Sequence, residues 1–293
     1  MTREGHTMFR PPAEADSVLI RVADGCPHNA CAFCAMYRSV PYRVHDRAAV
    51  DQSIKMAAAV RPDARRVFLA DGDVLALPAE SLQDILTRLR QAFPRLLRVN
   101  CYASGQAMAE KSDDEFRTLR QGGLHTLYLG LESGSDEVLH RMGKGGTVRD
   151  MIDGCKRARS AGLSVSVMVL VGLGGQELSD THARQTAAAL NAMQPSLLSC
   201  LRLVPVPGTP LARRIADGRF VPLTQEQSVL ELRRILSALD LSRTVFRADH
   251  SSNVLPLSGR LPRDKKGLLA EIDELLQCGV LDQGGPGPMP AAL

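Results

Sequence analysis

Six short apolar runs separated by helix-patterned segments fill residues 17–204 and constrain the fold of this chain more than any other feature. The runs are residues 17–23, 66–70, 96–102, 124–131, 163–171 and 197–204. Between them, residues 47–60, 79–92, 112–121, 136–141, 147–161 and 179–193 read as helices. In the second of these, Leu82, Ile85, Leu86 and Leu89 fall at the spacing that lines one helix face. Gly122-Gly123 and Gly162 end two of the helices, and Pro205 and Pro207 end the sixth run. Strands that alternate with helices in this way pair in parallel through right-handed crossovers. The class is therefore α/β, either an open doubly wound sheet or an incomplete barrel. In both, ligands gather at the carboxyl ends of the strands. Four polar or Gly-rich turns fall on that rim. They are a cysteine loop after the first run, Asp71-Gly72-Asp73 after the second, Glu132-Ser133-Gly134 after the fourth and Gly172-Leu173-Gly174-Gly175 after the fifth.

The first turn carries Cys26, Cys31 and Cys34. Three thiolates this close can hold three irons of a cubane iron–sulfur cluster and leave the fourth iron open to a small molecule. Zinc is the other reading, and zinc wants four ligands. His28 could be the fourth, but its place between the first two cysteines cramps a tetrahedron, and no second cysteine pair follows at zinc-finger spacing. Ligand count and spacing favour iron–sulfur. Cys101, Cys155, Cys200 and Cys278 stand apart from one another and read as packing thiols.

Bulk composition adds exclusions. A hydrophobic content of 44% and a charged content of 23% suit a water-soluble globular chain. With 4% aromatics and no Trp, the core must be built from Leu, Val, Ile, Ala and Met. The net charge of +4 is too small and too scattered to argue for nucleic acid. Arg213-Arg214, Arg233-Arg234 and Lys265-Lys266 lie mostly on helix-patterned segments beside acids, as on a solvated face. No apolar run is long enough to span a membrane. The polar N-terminus lacks the apolar stretch of a signal peptide. Seven cysteines without an export signal point to the reducing cytoplasm.

The loop Cys26-Pro27-His28-Asn29-Ala30-Cys31-Ala32-Phe33-Cys34-Ala35-Met36-Tyr37 resembles the radical S-adenosylmethionine (SAM) superfamily. Its C-P-H-N-x-C-x-F-C-x-M-Y pattern is similar to a bacterial branch near the coproporphyrinogen dehydrogenase-like and elongator-type members. The first two cysteines are separated by four residues, where three is the commonest spacing in that superfamily. The likeness extends to Gly130–Gly134, to residues 172–175 and to residues 246–266. It implies an incomplete (β/α)6 TIM-like barrel of parallel strands with a C-terminal helical extension. The expected organisation is a flexible segment at 1–16, a barrel core at 17–210, an extension closing the barrel at 211–283 and a disordered tail at 284–293.

The resemblance further implies a 4Fe–4S cluster on Cys26, Cys31 and Cys34, with SAM chelated by the open iron. Phe33 would lie against adenine. The backbone of Gly72 would meet the methionyl amine, with Asp71 or Asp73 facing the ammonium and Ser104 a weaker contact at the same end. Glu132 would bind the ribose hydroxyls, Lys144 the methionyl carboxylate, and Leu170 and Gly172 would flank adenine. Read alone, Glu132 could be a helix N-terminal acid, Lys144 a solvated lysine, and Asp71 and Asp73 plain turn residues. His250, Ser252 and Asn253 form a polar loop that could touch substrate or simply be hydrogen-bonded within itself.

The implied activity is an oxygen-sensitive radical SAM enzyme. Reductive cleavage of SAM would give a 5′-deoxyadenosyl radical that takes hydrogen from a small-molecule substrate. A reducing partner such as flavodoxin or ferredoxin would supply the electron. The alternatives are a cluster-bearing electron carrier or redox sensor, an enzyme using an aminocarboxypropyl radical, and an enzyme that modifies tRNA.

Overall fold

The computed structural model describes residues 7–287. Eight main strands occur: β1 Val18–Arg21, β2 Arg66–Ala70, β3 Arg98–Ala103, β4 Leu124–Glu132, β5 Ser164–Val171, β6 Leu197–Arg202, β7 Thr244–Ala248 and β8 Leu257–Leu261. They form one sheet in consecutive order, with β1 and β8 at its two ends. The printed ladders are parallel between β1 and β2, β2 and β3, β3 and β4, β5 and β6, and β6 and β7. The β7–β8 ladder is antiparallel. All six expected strands are present, so the α/β class with parallel strands holds.

The helices are α1 Arg47–Val60, α2 Ala79–Ala92, α3 Gly105–Glu110, α4 Asp113–Gly122 and α5 Asp136–Arg141. They continue with α6 Val148–Ser160, α7 Gly175–Met193, α8 Pro210–Ala216, α9 Gln225–Ala238 and α10 Lys265–Gln277. Local signals explain their ends. Asp46 caps α1 by accepting the Ala49 N–H at 2.8 Å. Ser112 and Glu115 close a reciprocal capping box on α4, and Gly123 ends that helix at φ 101°. Thr224 and Gln227 do the same at the start of α9. Helix α7 begins four residues earlier than its apolar pattern suggests, because its first turn is made from Gly175, at φ 60°, rather than from apolar residues.

The C-terminal extension is not wholly helical. β7 and β8 add a hairpin to the sheet. Thr244, Phe246 and Ala248 point into the core while Val245 and Arg247 point away, the period-2 alternation of a half-buried strand. β8 reads Leu-Ser-Gly-Arg-Leu, with neither β-branched nor aromatic residues to announce it.

The chain divides into two compact units. The first holds the residues up to Asn29, Met36–Leu129 and Lys156–Val165; the second holds Ala30–Ala35, Gly130–Cys155 and the residues from Ser166 on. In the first unit, Val67, Phe68, Leu69 and Ala70 of β2 are all fully buried, as in a strand covered on both faces. The segment expected to be flexible contains a turn of 3-10 helix at Pro12–Glu14. Glu14 is buried there, and its carboxylate accepts from Ser17 Oγ at 2.5 Å, Asn100 Nδ2 at 2.8 Å and Tyr128 Oη at 2.5 Å. Three donors offset the cost of taking that charge out of water. In the second unit, Arg233 of α9 forms a two-point ion pair with Asp273 of α10. Gly285 O accepts the Gln225 N–H at 3.0 Å, so the start of the expected disordered tail is tied to α9. Residues 1–6 and 288–293 lie outside the described residues. Among the described residues, no helix is long and apolar enough to cross a membrane.

Candidate functional site

Cys26 belongs to the first unit, Cys31 and Cys34 to the second. All three are half-buried and outside any disulfide. In the first unit, Gly25 sits at φ 73° and its carbonyl accepts the Gly72 N–H at 3.1 Å. A Cβ on Gly72 would stand 2.7 Å from Cys26 Cβ and 2.9 Å from Gly25 O. The glycine is therefore required by the close approach of the turn after β2 to the cysteine loop, a reason independent of any ligand. Asp71 is fully buried, accepts from Tyr37 Oη at 3.4 Å and lies 3.9 Å from Arg21 Nε. Asp73 Oδ1 accepts the Ser104 N–H at 3.1 Å, while Ser104 Oγ caps α3 through the Ala107 N–H at 3.0 Å. Burial, with Asp73 and Cys26 close by, holds the Tyr42 phenol above its ordinary range.

In the second unit, the cysteine loop is strung between two backbone anchors. The Ala32 N–H donates to Met142 O at 2.7 Å, and Ala32 O accepts the Leu211 N–H at 3.0 Å. Ala32 enters an apolar cluster with Met142, Leu173 and Leu203, and both Phe33 and Leu170 pack against it. Two residues expected beside adenine therefore share one apolar patch. Glu132, at φ 62°, faces Lys144 at 3.5 Å. A Cβ on Gly130 would stand 2.2 Å from Glu132 Oε1 and 3.2 Å from Lys144 Nζ, so the pair occupies the space a side chain would take. Burial raises the Glu132 carboxyl, with Lys144 pulling the other way. The sequence assigned these two to opposite ends of SAM, and the fold brings them together.

A further buried polar chain escaped the sequence reading. Glu231 of α9 is fully buried and accepts the Gly172 N–H at 2.5 Å and the Ser179 hydroxyl at 2.5 Å. Its Oε1 lies 3.6 Å from His182 Nε2, and His182 Nδ1 shares a hydrogen bond with Ser133 Oγ at 2.8 Å. Burial pushes Glu231 up to about 7 and His182 down to about 4. A signal existed. Ser228, Glu231, Leu232 and Ile235 follow helical spacing, which places an acid on the stripe of α9 that faces the core.

The C-terminal polar loop is committed to holding itself against β6. Ser252 Oγ accepts the Arg202 N–H at 3.2 Å and meets His250 Nδ1 at 2.9 Å. Ser252 O accepts from Arg202 Nε at 2.5 Å, and Asn253 Nδ2 donates to Cys200 O at 2.8 Å. Of the remaining cysteines, Cys101, Cys155 and Cys200 are buried and Cys278 is exposed. Burial pushes the Cys200 thiol up to about 12, which makes it inert at neutral pH.

The donor set suits an iron–sulfur cluster by its chemistry: three cysteines outside any disulfide on one short loop. Among the described residues no three His, Cys, Asp or Glu side chains are grouped around a point that could hold one metal ion. A cubane does not ask for that grouping, since each thiolate takes its own iron.

Residues 20–185, more than half of the chain, match the Radical SAM superfamily. The chain belongs to that superfamily. It is 24% identical over 182 residues to "Heme chaperone HemW" of Bacillus subtilis, covering 61% of this chain and 47% of that protein. Among solved structures it resembles the Escherichia coli coproporphyrinogen III oxidase HemN, a radical SAM enzyme, with a TM-score of 0.57 and 16% identity. That match covers 75% of this chain and 51% of HemN. It also resembles the radical SAM methyltransferase TsrM of Kitasatospora setae, solved with cobalamin and a [4Fe-4S] cluster. There the TM-score is 0.55 at 20% identity, over 69% of this chain and 37% of that one. The chain thus spans about half of HemW and HemN or less of the other relative.

Proposed function

We propose that this chain is a radical SAM enzyme acting on a small molecule, with a 4Fe–4S cluster on Cys26, Cys31 and Cys34. The observation that carries the reading is the loop of three cysteines, none in a disulfide, after β1 in a chain of this superfamily. Bound there, the cluster supplies the electron that splits the sulfonium of SAM, giving methionine and a 5′-deoxyadenosyl radical that takes a hydrogen atom from substrate.

The chain's own residues bind, orient and exclude water. Gly72 keeps the turn after β2 tight against Cys26. Phe33 and Leu170 offer adenine an apolar surface already packed on the loop. Glu132 can accept two ribose hydroxyls, and its partner Lys144, 3.5 Å away, is the cation for the methionyl carboxylate. Asp71 serves the fold through Tyr37 and Arg21, which leaves Asp73 as the acid nearer the methionyl ammonium. A flavodoxin or ferredoxin in the cytoplasm suits the electron requirement and cysteines outside any disulfide.

The test is anaerobic reconstitution with iron and sulfide, reduction with dithionite and addition of SAM. The expected products are 5′-deoxyadenosine and methionine, lost in Cys31→Ala. An intact SAM pool, with a cluster spin signal that ignores SAM, would overturn the reading in favour of an electron carrier or sensor.

A further inference from the structure

Two of the strand-end turns singled out by the sequence are joined from behind by one buried side chain. We propose that Glu231 is a positioning residue for SAM, one that holds the turn after β5 and the turn after β4 in a fixed mutual arrangement. The inference rests on the radical SAM reading above.

Its geometry runs through hydrogen bonds to Gly172 and Ser179, and through a 3.6 Å approach without a hydrogen bond to His182 Nε2. Oε1 of Glu231 takes the N–H of Gly172, whose φ of 89° turns the chain sharply two residues beyond Leu170. Oε2 is held by the Ser179 hydroxyl on α7. Also on α7, His182 lies beside Glu231 on one edge and bonds Ser133 on the other. Ser133 Oγ in turn accepts the Ser135 N–H at 3.0 Å, and the Gly134 N–H donates to Thr186 Oγ1 at 2.8 Å. Ser133 follows Glu132 directly. One fully buried carboxyl thus supports the residues expected at ribose and at adenine without touching either group itself.

A buried carboxyl is costly to desolvate, a cost that a leucine at this position would avoid. What a leucine cannot do is meet the Gly172 N–H. An unmet buried N–H is itself costly and frees the turn to move.

The experiment compares Glu231→Leu with Glu231→Gln in cluster-reconstituted protein. Glutamine keeps an acceptor for Gly172; leucine keeps the bulk and loses it. The SAM dissociation constant is read by spin-resonance titration, and deuterium exchange is followed over residues 131–136 and 169–175. Glu231→Leu is expected to weaken SAM binding about ten- to hundredfold, with iron content unchanged and protection lost in both segments together. Glu231→Gln is expected to restore both readouts. A folded Glu231→Leu protein with wild-type affinity, or a glutamine variant that rescues neither readout, overturns the proposal. Should the leucine variant not fold, Ser179→Ala serves: weaker SAM binding with faster exchange at 169–175 supports the proposal, and unchanged affinity overturns it. Wild-type protein that binds no SAM overturns instead the reading on which the proposal rests.

Discussion

Glu231 and His182 pull the pH dependence of stability in opposite directions. The folded chain retains a proton on Glu231 between its ordinary value of 4.5 and about 7, so that contribution to stability falls as pH rises. The folded chain lacks a proton on His182 between about 4 and the ordinary 6.5, so that contribution grows as pH rises. The two slopes cancel over the shared range. Glu231→Gln removes one of them. Its unfolding free energy is expected to climb between pH 4.5 and about 7 relative to wild type, by up to about 1.4 kcal/mol per unit. Denaturant midpoints across a pH series check this, and curves parallel to wild type would show that the carboxyl titrates normally. Gly72→Ala gives a second residue-scale prediction. The new Cβ meets Cys26 Cβ and the Gly25 carbonyl, both on the main-chain path, at a cost of about 1–3 kcal/mol. A lower midpoint together with reduced iron incorporation is the expected outcome. Sequence could identify Gly72 as a glycine that something needs; that the something is Cys26 depends on two turns far apart in the chain.

At the scale of elements, the polar loop after β7 is bound to β6 by three hydrogen bonds, from Arg202 to Ser252 and from Asn253 to Cys200 O. Ser252→Ala is expected to lower the melting temperature by about 2–4 °C while SAM affinity stays at the wild-type value. Calorimetry and the same titration separate the two. A large loss of substrate turnover with no loss of stability would return this loop to the substrate. Boundaries of α1, α2 and α5 were legible to the residue: α1 is Ala-rich and capped by Asp46, α2 carries its apolar residues on one face, and α5 follows the cap Ser135. α3, α8 and β8 were not legible. Two are helices of six and seven residues. The third is a strand whose pairing with β7, not its composition, defines it. The ion pair of Glu132 with Lys144 was hidden for a similar reason: it depends on the course of the turn and short helix between them.

For the whole molecule, the sheet order matters most. β8 ends the sheet as a short strand carrying Ser258, Gly259 and Arg260, features that discourage another strand from adding on. β7 separates it from β6, in which Leu198 and Cys200 are buried. Stopping the chain at Leu241 would remove β7, β8 and α10 at once. It would bare the edge of β6 and the face of α9 that now meets α10. Such a protein is expected to aggregate on expression, read by sedimentation, whereas stopping at residue 287 is expected to leave the folded protein monodisperse.

The tight turn at Gly72 also bears on thiol labelling. Its main chain leaves little room beside Cys26, so an alkylating reagent offered to cluster-free protein is expected to cap Cys31 and Cys34 first. Peptide mass spectrometry would show the order of capture. An electrophilic inhibitor aimed at this loop would then meet the turn after β2 on its way to Cys26.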